Sequence, residues 1–383
     1  MKTIMAKAEE KGWDRNGRKI VLASTVIALF LVIGILETIA GWVYENLPRR
    51  FNNGKRLVEL YLGRKPNIQH SIVSHPYMLY ANAPNFFDSG FMQHNSSGYR
   101  NEEFQIEKGK NSIRILALGG STTHMWPYVE SPKEIWTYKL QLKLQNVCKK
   151  EIQVVNAGQP YATTAELLVG YAFRHRYLKS DIVIIHDSGN DIAPLLFENY
   201  DAEYTHFRAH GLGARPRPYE RTMLKSNSMK LLYSVWLNGI SSIYQSQPKS
   251  FSEIDRKEAT ALANRNNSDG FRRNLDLLIK MVKNDGADVI LLGFLMAKRE
   301  NISRNRPDLK GLEEALVVGM GKHYKIMREL AKRNGVMLIE PDQKLFNDEM
   351  FQDNCHLSEK GEAIKADIVF RNILKHGVLK RMR

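Results

Sequence analysis

Hydrophobic and polar positions divide the chain into regions of different character, beginning with a long apolar run. From Ile20 to Leu36 the sequence reads IVLASTVIALFLVIGIL without a charge, and after Glu37 the apolar character resumes through Ile39, Ala40, Trp42, Val43 and Tyr44. A hydrocarbon layer takes about 20 apolar residues in helical form, so the pattern predicts a transmembrane anchor over residues 20–44, with Trp42 and Tyr44 suited to the interface. Basic residues precede the run at Lys2, Lys7, Lys11, Arg15, Arg18 and Lys19, and fewer follow soon after it, at Arg49, Arg50, Lys55 and Arg56. That bias points the N-terminus toward the cytoplasm. A cleaved signal peptide with its small-residue site at Thr38-Ile39-Ala40 is the alternative, which the length of the run opposes. Glu37 reads as an interfacial residue or a contact to a membrane partner, because a carboxylate facing lipid is expensive.

Residues 45–111 are rich in Asn, Pro, Gly and aromatics, as in SHPYMLYANAPNFFDSG and HNSSGYRNEEF, and read as an irregular connector behind a basic tail (1–19) and the anchor. From Ser112 short apolar runs alternate with amphipathic segments, the pattern of a parallel sheet covered on both faces. Strands are expected at Ile113 to Leu118, Val154 to Asn156, Ile182 to His186, Val289 to Phe294 and Val336 to Ile339. Helices are expected over Ala165 to Leu178, Gly270 to Asn284, Leu312 to Asn334 and Glu359 to Lys375, with another opening at the capping box Ser131-Pro-Lys-Glu134. Strands alternating with helices predict an α/β fold, a flavodoxin-like three-layer sandwich with a five-stranded parallel sheet, preceded by one N-terminal transmembrane helix. This domain spans 112–383.

The stretch 200–267 breaks the alternation and reads as an insertion. It contains ARPRPYER and then MKLLYSVWLNGISSIY, in which Leu231, Leu232, Val235, Trp236, Ile240 and Ile243 fall on one helical stripe. Core packing is the expectation for such a stripe, with a substrate lid or a membrane contact as alternatives.

Composition adds limits. A chain of 383 residues with 43% hydrophobic and 25% charged residues can bury a full core. The net charge of +15 would suit nucleic acid, an anionic membrane or a polyanionic substrate. No RNP-type aromatic pattern, zinc-finger spacing or basic zipper accompanies it, so a nucleic-acid partner is not expected and the lipid bilayer is. With Cys148 and Cys355 as its two cysteines, the chain has neither a disulfide scaffold nor a C-x-x-C metal site. His186 and Asp187 have no third ligand at suitable spacing, and no metal or cofactor is expected.

Three segments carry candidate chemistry. In ILALGGSTTHMW an apolar strand runs into Gly119-Gly120-Ser121 and then turns polar, which would expose a hydroxyl and an amide N–H at a strand's C-terminal end. The segment has neither the ending of a P-loop nor the spacing of a dinucleotide fingerprint. Asp353-Asn-Cys-His356 offers an imidazole with a carboxylate three residues away, the pair a serine nucleophile needs to lose its proton. DIVIIHDSGNDIAP ends a strand with Ser188-Gly189-Asn190-Asp191, where the Asn190 amide could face the same crevice and stabilise an oxyanion. Each segment alone is also an ordinary polar loop.

In this order the segments resemble the SGNH (GDSL-like) hydrolase family over roughly residues 112–375. The resemblance implies Ser121 as nucleophile and as one oxyanion N–H, His356 as base, Asp353 as its orienting carboxylate, and Asn190 as an oxyanion donor. Two departures stand out: Gly-Gly-Ser replaces Gly-Asp-Ser, and in VVNAGQPYATT the family's oxyanion glycine aligns with Tyr161 and not with Gly158. A backbone N–H survives at Tyr161, and Gly158 stays as an alternative donor. His124 reads as an exposed loop histidine, and Cys355, adjacent to His356, as pointing away from the site.

The expected activity is ester chemistry through an acyl-Ser121 intermediate, with water or another hydroxyl as acceptor. The anchor and the segment HPYMLYANAPN…NSSGYR resemble anchored SGNH proteins associated with bacterial surface polysaccharides. That likeness implies O-acetyl removal or transfer on a glycan by a single-pass inner-membrane protein whose catalytic body lies outside the cytoplasm. A lipase or lysophospholipase is the second enzyme reading, and a scaffold of an envelope assembly complex, held by a membrane partner, is the non-catalytic one.

Overall fold

The computed structural model describes residues 15–48, 51, 55, 58, 71–75, 77–186, 189–207, 218–244 and 251–379. In chain order they form helix α1 (Arg15–Glu45), strands β1 (Ile72–His75), β2 (Leu79–Asn82), β3 (Phe87–Asp88), β4 (Phe91–Met92) and β5 (Ser112–Gly119), and the short turn α2 (Ser121–His124). There follow α3 (Trp136–Gln145), β6 (Glu151–Gly158), α4 (Thr164–Phe173), β7 (Ile182–His186), the turn α5 (Gly189–Ile192), α6 (Pro218–Met223) and α7 (Asn227–Tyr244). The chain closes with α8 (Ala259–Arg265), α9 (Asp269–Asn284), β8 (Asp288–Leu292), α10 (Glu313–Asn334), β9 (Met337–Ile339) and α11 (Glu359–Lys375). Two compact units result, one from residues 1–67 with 214–245 and the other from 68–213 with 246–383.

In the larger unit five parallel strands pair in the order β6-β5-β7-β8-β9. Successive side chains of a strand face opposite ways, and both faces are apolar here. Leu116, Leu118, Val183, Ile185, Val289 and Leu291 pack on one side against Leu167 of α4, Leu275, Leu278 and Val282 of α9, and Met327 and Leu330 of α10. Ile113, Ile115, Ile182, Ile184, Ile290 and Leu292 pack on the other side against Trp136, Leu140 and Leu144 of α3 and Val369 and Ile373 of α11. The expected three-layer α/β sandwich with a five-stranded parallel sheet is therefore the observed one. Strand order reverses direction between β5 and β7, and the crevice at such a switch point lies beyond the C-terminal strand ends.

Local boundaries shift where the backbone chooses its own stop. Ser131 does cap, accepting from the Lys133 N–H at 3.3 Å, but it starts a single 3-10 turn over Pro132–Glu134. Ile135 is then extended, and the α-helix begins only at Trp136. The helix expected to run to Leu178 leaves α geometry at Phe173 and ends as a 3-10 turn over His175–Leu178. Within the connector, β1 pairs with β2 and β3 with β4 as antiparallel hairpins.

In the smaller unit α1 is one continuous helix, and residues 16–45 are long and apolar enough to cross a membrane. The expected inward stripe of α7 is not the one observed. Leu237 is buried and Leu231 half-buried, packed with Tyr44, Val58 and Leu224, whereas Leu232, Val235 and Trp236 are exposed. Both faces of this helix are apolar, so periodicity gave no reason for the right one to be chosen. The side chains of Ile240 and Ile243 lie outside the described residues.

Candidate active site

Ser121 comes one residue after β5, with Gly120 between as N-cap, and occupies the first position of α2, where a backbone N–H has no acceptor within its own helix. The turn needs two glycines for reasons of space. A Cβ on Gly119 would lie 2.2 Å from Thr123 Oγ1 and 2.3 Å from the His186 carbonyl oxygen, and one on Gly158 would lie 2.4 Å from the His124 backbone nitrogen. The buried Asn156 ties the same turn to β6, donating from Nδ2 to the Thr123 carbonyl at 2.7 Å. From the far side, the Lys365 ammonium donates to the Thr122 carbonyl at 3.0 Å.

The segment after β9 brings the second half of the site. His356 Nε2 lies 2.8 Å from Ser121 Oγ, although 235 residues separate the two. His356 Nδ1 lies 2.9 and 2.8 Å from the two Asp353 carboxylate oxygens, and Oδ1 also accepts the backbone N–H groups of Cys355 at 2.9 Å and His356 at 2.8 Å. Burial would raise the Asp353 pKa, but the hydrogen bond and charge of His356, together with those N–H groups, hold it well below the usual carboxylate range. The relay is therefore set with an ionised carboxylate behind Nδ1, which leaves Nε2 to face the hydroxyl.

Two groups absent from the sequence reading border this pair. Tyr128 stacks on the His356 imidazole, and burial first, then the nearby Asp353 charge, pushes its phenol pKa up, so it is a neutral partner. Arg306 Nη1 stands 4.0 Å from Asp353 Oδ2 while its Nε and Nη2 grip Asp308 at 2.8 and 2.7 Å. A tyrosine or arginine that reaches the site only through tertiary folding leaves no local motif to find. Cys355 Sγ lies 3.6 Å from His356 Nδ1, a nitrogen already engaged by Asp353, and desolvation first, then the Asp353 charge, pushes its thiol pKa well up.

Asn190 belongs to α5, beyond β7, and its Nδ2 donates to the Ala162 carbonyl at 2.7 Å. That bond joins it to the loop carrying Tyr161, whose φ of 64° is the left-handed conformation glycine prefers. Tyr161 thus adopts a backbone shape in which a glycine would be unstrained. Gly158 does not offer its amide to the crevice: its N–H donates to Asn156 Oδ1 at 2.9 Å. The reason is the inward-facing Asn156 side chain two residues earlier, and the glycine is required there for close backbone approach. Ser188 and Asp187 lie outside the described residues.

The expected connector supports this loop. Asn82 Nδ2 donates to the Gly158 carbonyl at 2.8 Å, Tyr80 Oη to the Pro160 carbonyl at 2.7 Å, and Gln159 Nε2 to the Tyr80 carbonyl at 2.9 Å. His124 is not an exposed loop histidine. It is fully buried, its Nδ1 accepts the Trp126 N–H at 3.3 Å, and its Nε2 lies 2.6 Å from His94 Nε2. His94 Nδ1 in turn meets the Ala83 carbonyl at 2.9 Å, so a chain of two neutral imidazoles satisfies every partner. Desolvation depresses both, His94 to about 3 and His124 well below its ordinary value. His186, also buried, reaches Thr123 Oγ1 at 2.8 Å and serves the same turn.

Asp353, Cys355 and His356 place a carboxylate oxygen, a sulfur and a ring nitrogen close together. The same carboxylate and imidazole are engaged with each other and with Ser121, which accounts for the cluster without an ion.

No protein-family model and no curated protein matches the chain. Among solved structures it is similar to a lipase/acylhydrolase from Enterococcus faecalis (18% identity, 68% of this chain and 95% of that one, TM-score 0.39). It is also similar to a GDSL-like lipase from Bacteroides thetaiotaomicron (14% identity, 70% and 88%, TM-score 0.37). An acetyl xylan esterase gives 13% identity over 68% of this chain and 100% of its own, with a TM-score of 0.39.

Proposed function

We propose that the protein is a membrane-anchored serine esterase or O-acyltransferase of the SGNH type, working through an acyl-Ser121 intermediate. The observation that carries this reading is the hydrogen-bonded series Ser121–His356–Asp353 at the sheet's switch point, with distances of 2.8 Å at each junction. Ser121 Oγ attacks the ester carbonyl while His356 Nε2 takes its proton; the imidazolium then gives that proton to the departing alkoxide. Asp353 stays ionised and holds Nδ1–H. Ser121 N–H, the second N–H of the Asn190 amide and the Tyr161 N–H supply the oxyanion donors. One such donor is commonly worth about 3 kcal/mol. Water or a second hydroxyl then accepts the acyl group by the same steps in reverse. A non-catalytic scaffold would have no need of this relay.

The finer assignment is an O-acetyl group on a surface glycan, brought to the enzyme by an uncleaved span over residues 20–44 with the catalytic unit outside the cytoplasm. It rests on the likeness of the anchor and of HPYMLYANAPN…NSSGYR to anchored polysaccharide-associated proteins, a segment whose Tyr80 and Asn82 hydrogen-bond to the loop after β6. A fluorophosphonate probe should label the wild type and not Ser121→Ala, and full ester hydrolysis by that variant would remove the assignment. An acyl-chain-length series on model esters then separates the acetyl reading from a lipase, which would prefer long chains.

A further inference from the structure

The two halves of the site are joined a second time, away from the hydrogen bond between Ser121 and His356. Helix α11 starts at Glu359, soon after His356, with Ser358 as its N-cap. In its second turn Lys365 points inward, and its ammonium donates to the Thr122 carbonyl, next to the nucleophile, at 3.0 Å. That carbonyl has no donor within its own turn. The Thr123 and His124 N–H groups go to the Gly120 carbonyl, the Met125 N–H goes to the Ser121 carbonyl, and the Trp126 N–H goes to His124 Nδ1. A short helical turn leaves such carbonyls orphaned, and here a side chain from a distant helix satisfies one of them.

Lys365 is buried, with its ammonium 5.6 Å from the centre of the Trp136 ring and 2.5 Å from Glu362 Oε1, one turn earlier on the same helix face. Glu362 is buried too. Its other oxygen accepts the Trp136 N–H at 3.0 Å, at the start of α3, where Ile135 supplies no side-chain cap. One pair of side chains on α11 therefore holds both α2 and α3. Stability alone does not call for a buried ion pair, because apolar residues of the same shape often fold as well as two desolvated charges. Burial pushes the Lys365 pKa down, and the Glu362 charge opposes that shift. An apolar side chain could fill the space, but it could not hold the Thr122 carbonyl.

We propose that Lys365 is a positioning residue for the nucleophile, a clamp that fixes the Ser121 turn to the helix behind His356 and so sets the 2.8 Å approach of Ser121 Oγ to His356 Nε2. Glu362 orients the clamp. The inference rests on the reading of the protein as a serine esterase or acyltransferase. A turn released from Lys365 can shift Ser121 against both the base and the oxyanion donors, and a misplacement of about 1 Å can cost about 10²-fold in rate.

The test compares the full-length wild type with the double variant Lys365→Met/Glu362→Gln, which removes both charges, keeps an acceptor for the Trp136 N–H and leaves Thr122 without its donor. Melting temperature, kcat and KM on p-nitrophenyl acetate, and the rate of fluorophosphonate labelling are measured, the rates at a temperature where both proteins are folded. The melting temperature and KM should stay close to wild type, while kcat and the labelling rate each fall by roughly tenfold to 10²-fold. Should the double variant not fold, Lys365→Gln, whose shorter amide can meet Glu362 but not Thr122, is held to the same kcat, KM and labelling criteria. A folded variant that labels and turns over at the wild-type rate, or that loses only substrate affinity, overturns the clamp and leaves the esterase reading standing. A wild type that neither labels nor hydrolyses the ester removes that reading, and the clamp falls with it.

Discussion

Tyr128 lies flat against the catalytic-candidate imidazole of His356, with ring centroids 3.6 Å apart and planes 9° from parallel. An imidazole pivots easily about its last side-chain bond, and the stacked ring opposes that pivot without using either nitrogen. Nδ1 can therefore stay on Asp353 while Nε2 stays on Ser121. A stacked aromatic pair is worth about 0.5–1.5 kcal/mol beyond burial. Replacing Tyr128 with Leu should lower kcat on a small ester by up to roughly tenfold with little change in KM, and Phe should restore most of it. Equal rates for the Leu and Phe variants would mean that stacking orients nothing.

Losing the Asp353 charge should leave the nucleophile in place and its activation impaired. Asp353→Asn is expected to reduce turnover by up to about 10⁴-fold, because the imidazole would lose both its tautomer and its counter-charge. Stopped-time ester hydrolysis with the folded variant reads this directly, and an unchanged rate would remove Asp353 from the mechanism.

Asn190 and Tyr161 should behave oppositely. Asn190→Ala removes an amide donor and its bond to the Ala162 carbonyl, and should lower kcat by about 10²-fold to 10³-fold. Tyr161→Gly keeps the backbone N–H and relieves a left-handed residue whose strain is about 1 kcal/mol or more, so small-ester turnover should survive and the melting temperature should hold or rise. A large loss of small-ester activity in Tyr161→Gly would assign a role to the ring.

Acid should weaken the fold before it protonates Asp353. His94 and His175 are buried, with pKa values lowered to about 3 by desolvation, and His124 and His186 are depressed too. A depressed histidine contributes stability that is complete above its unfolded pKa near 6.5 and is lost as pH falls toward the folded value, because the unfolded chain binds the proton first. At pH 5 that linkage is about 2 kcal/mol for His94 alone. Calorimetric melting temperatures should drop between pH 7.5 and pH 5, and a flat profile across that window would show that these rings are not buried as neutral groups.

The sequence by itself determined the fold class, because apolar runs of strand length alternating with amphipathic helices have few ways to bury both faces of a sheet. It also marked Ser121, Asn190, Asp353 and His356, since a hydroxyl after a strand and a carboxylate three residues from an imidazole are local patterns. The tertiary structure alone decided what closes around them. Tyr128, Arg306, His94 and Asn82 come from segments outside those local patterns and reach the site only once the sheet has set the distances. Periodicity also could not tell which face of α7 turns to α1, because both are apolar; the cap that Glu37 places on its first turn decided it. Gly158 stood as an alternative donor to Tyr161, but the buried Asn156 side chain accepts its N–H. Local chemistry is written in short spacings, whereas orientation depends on neighbours that the chain brings in from far away.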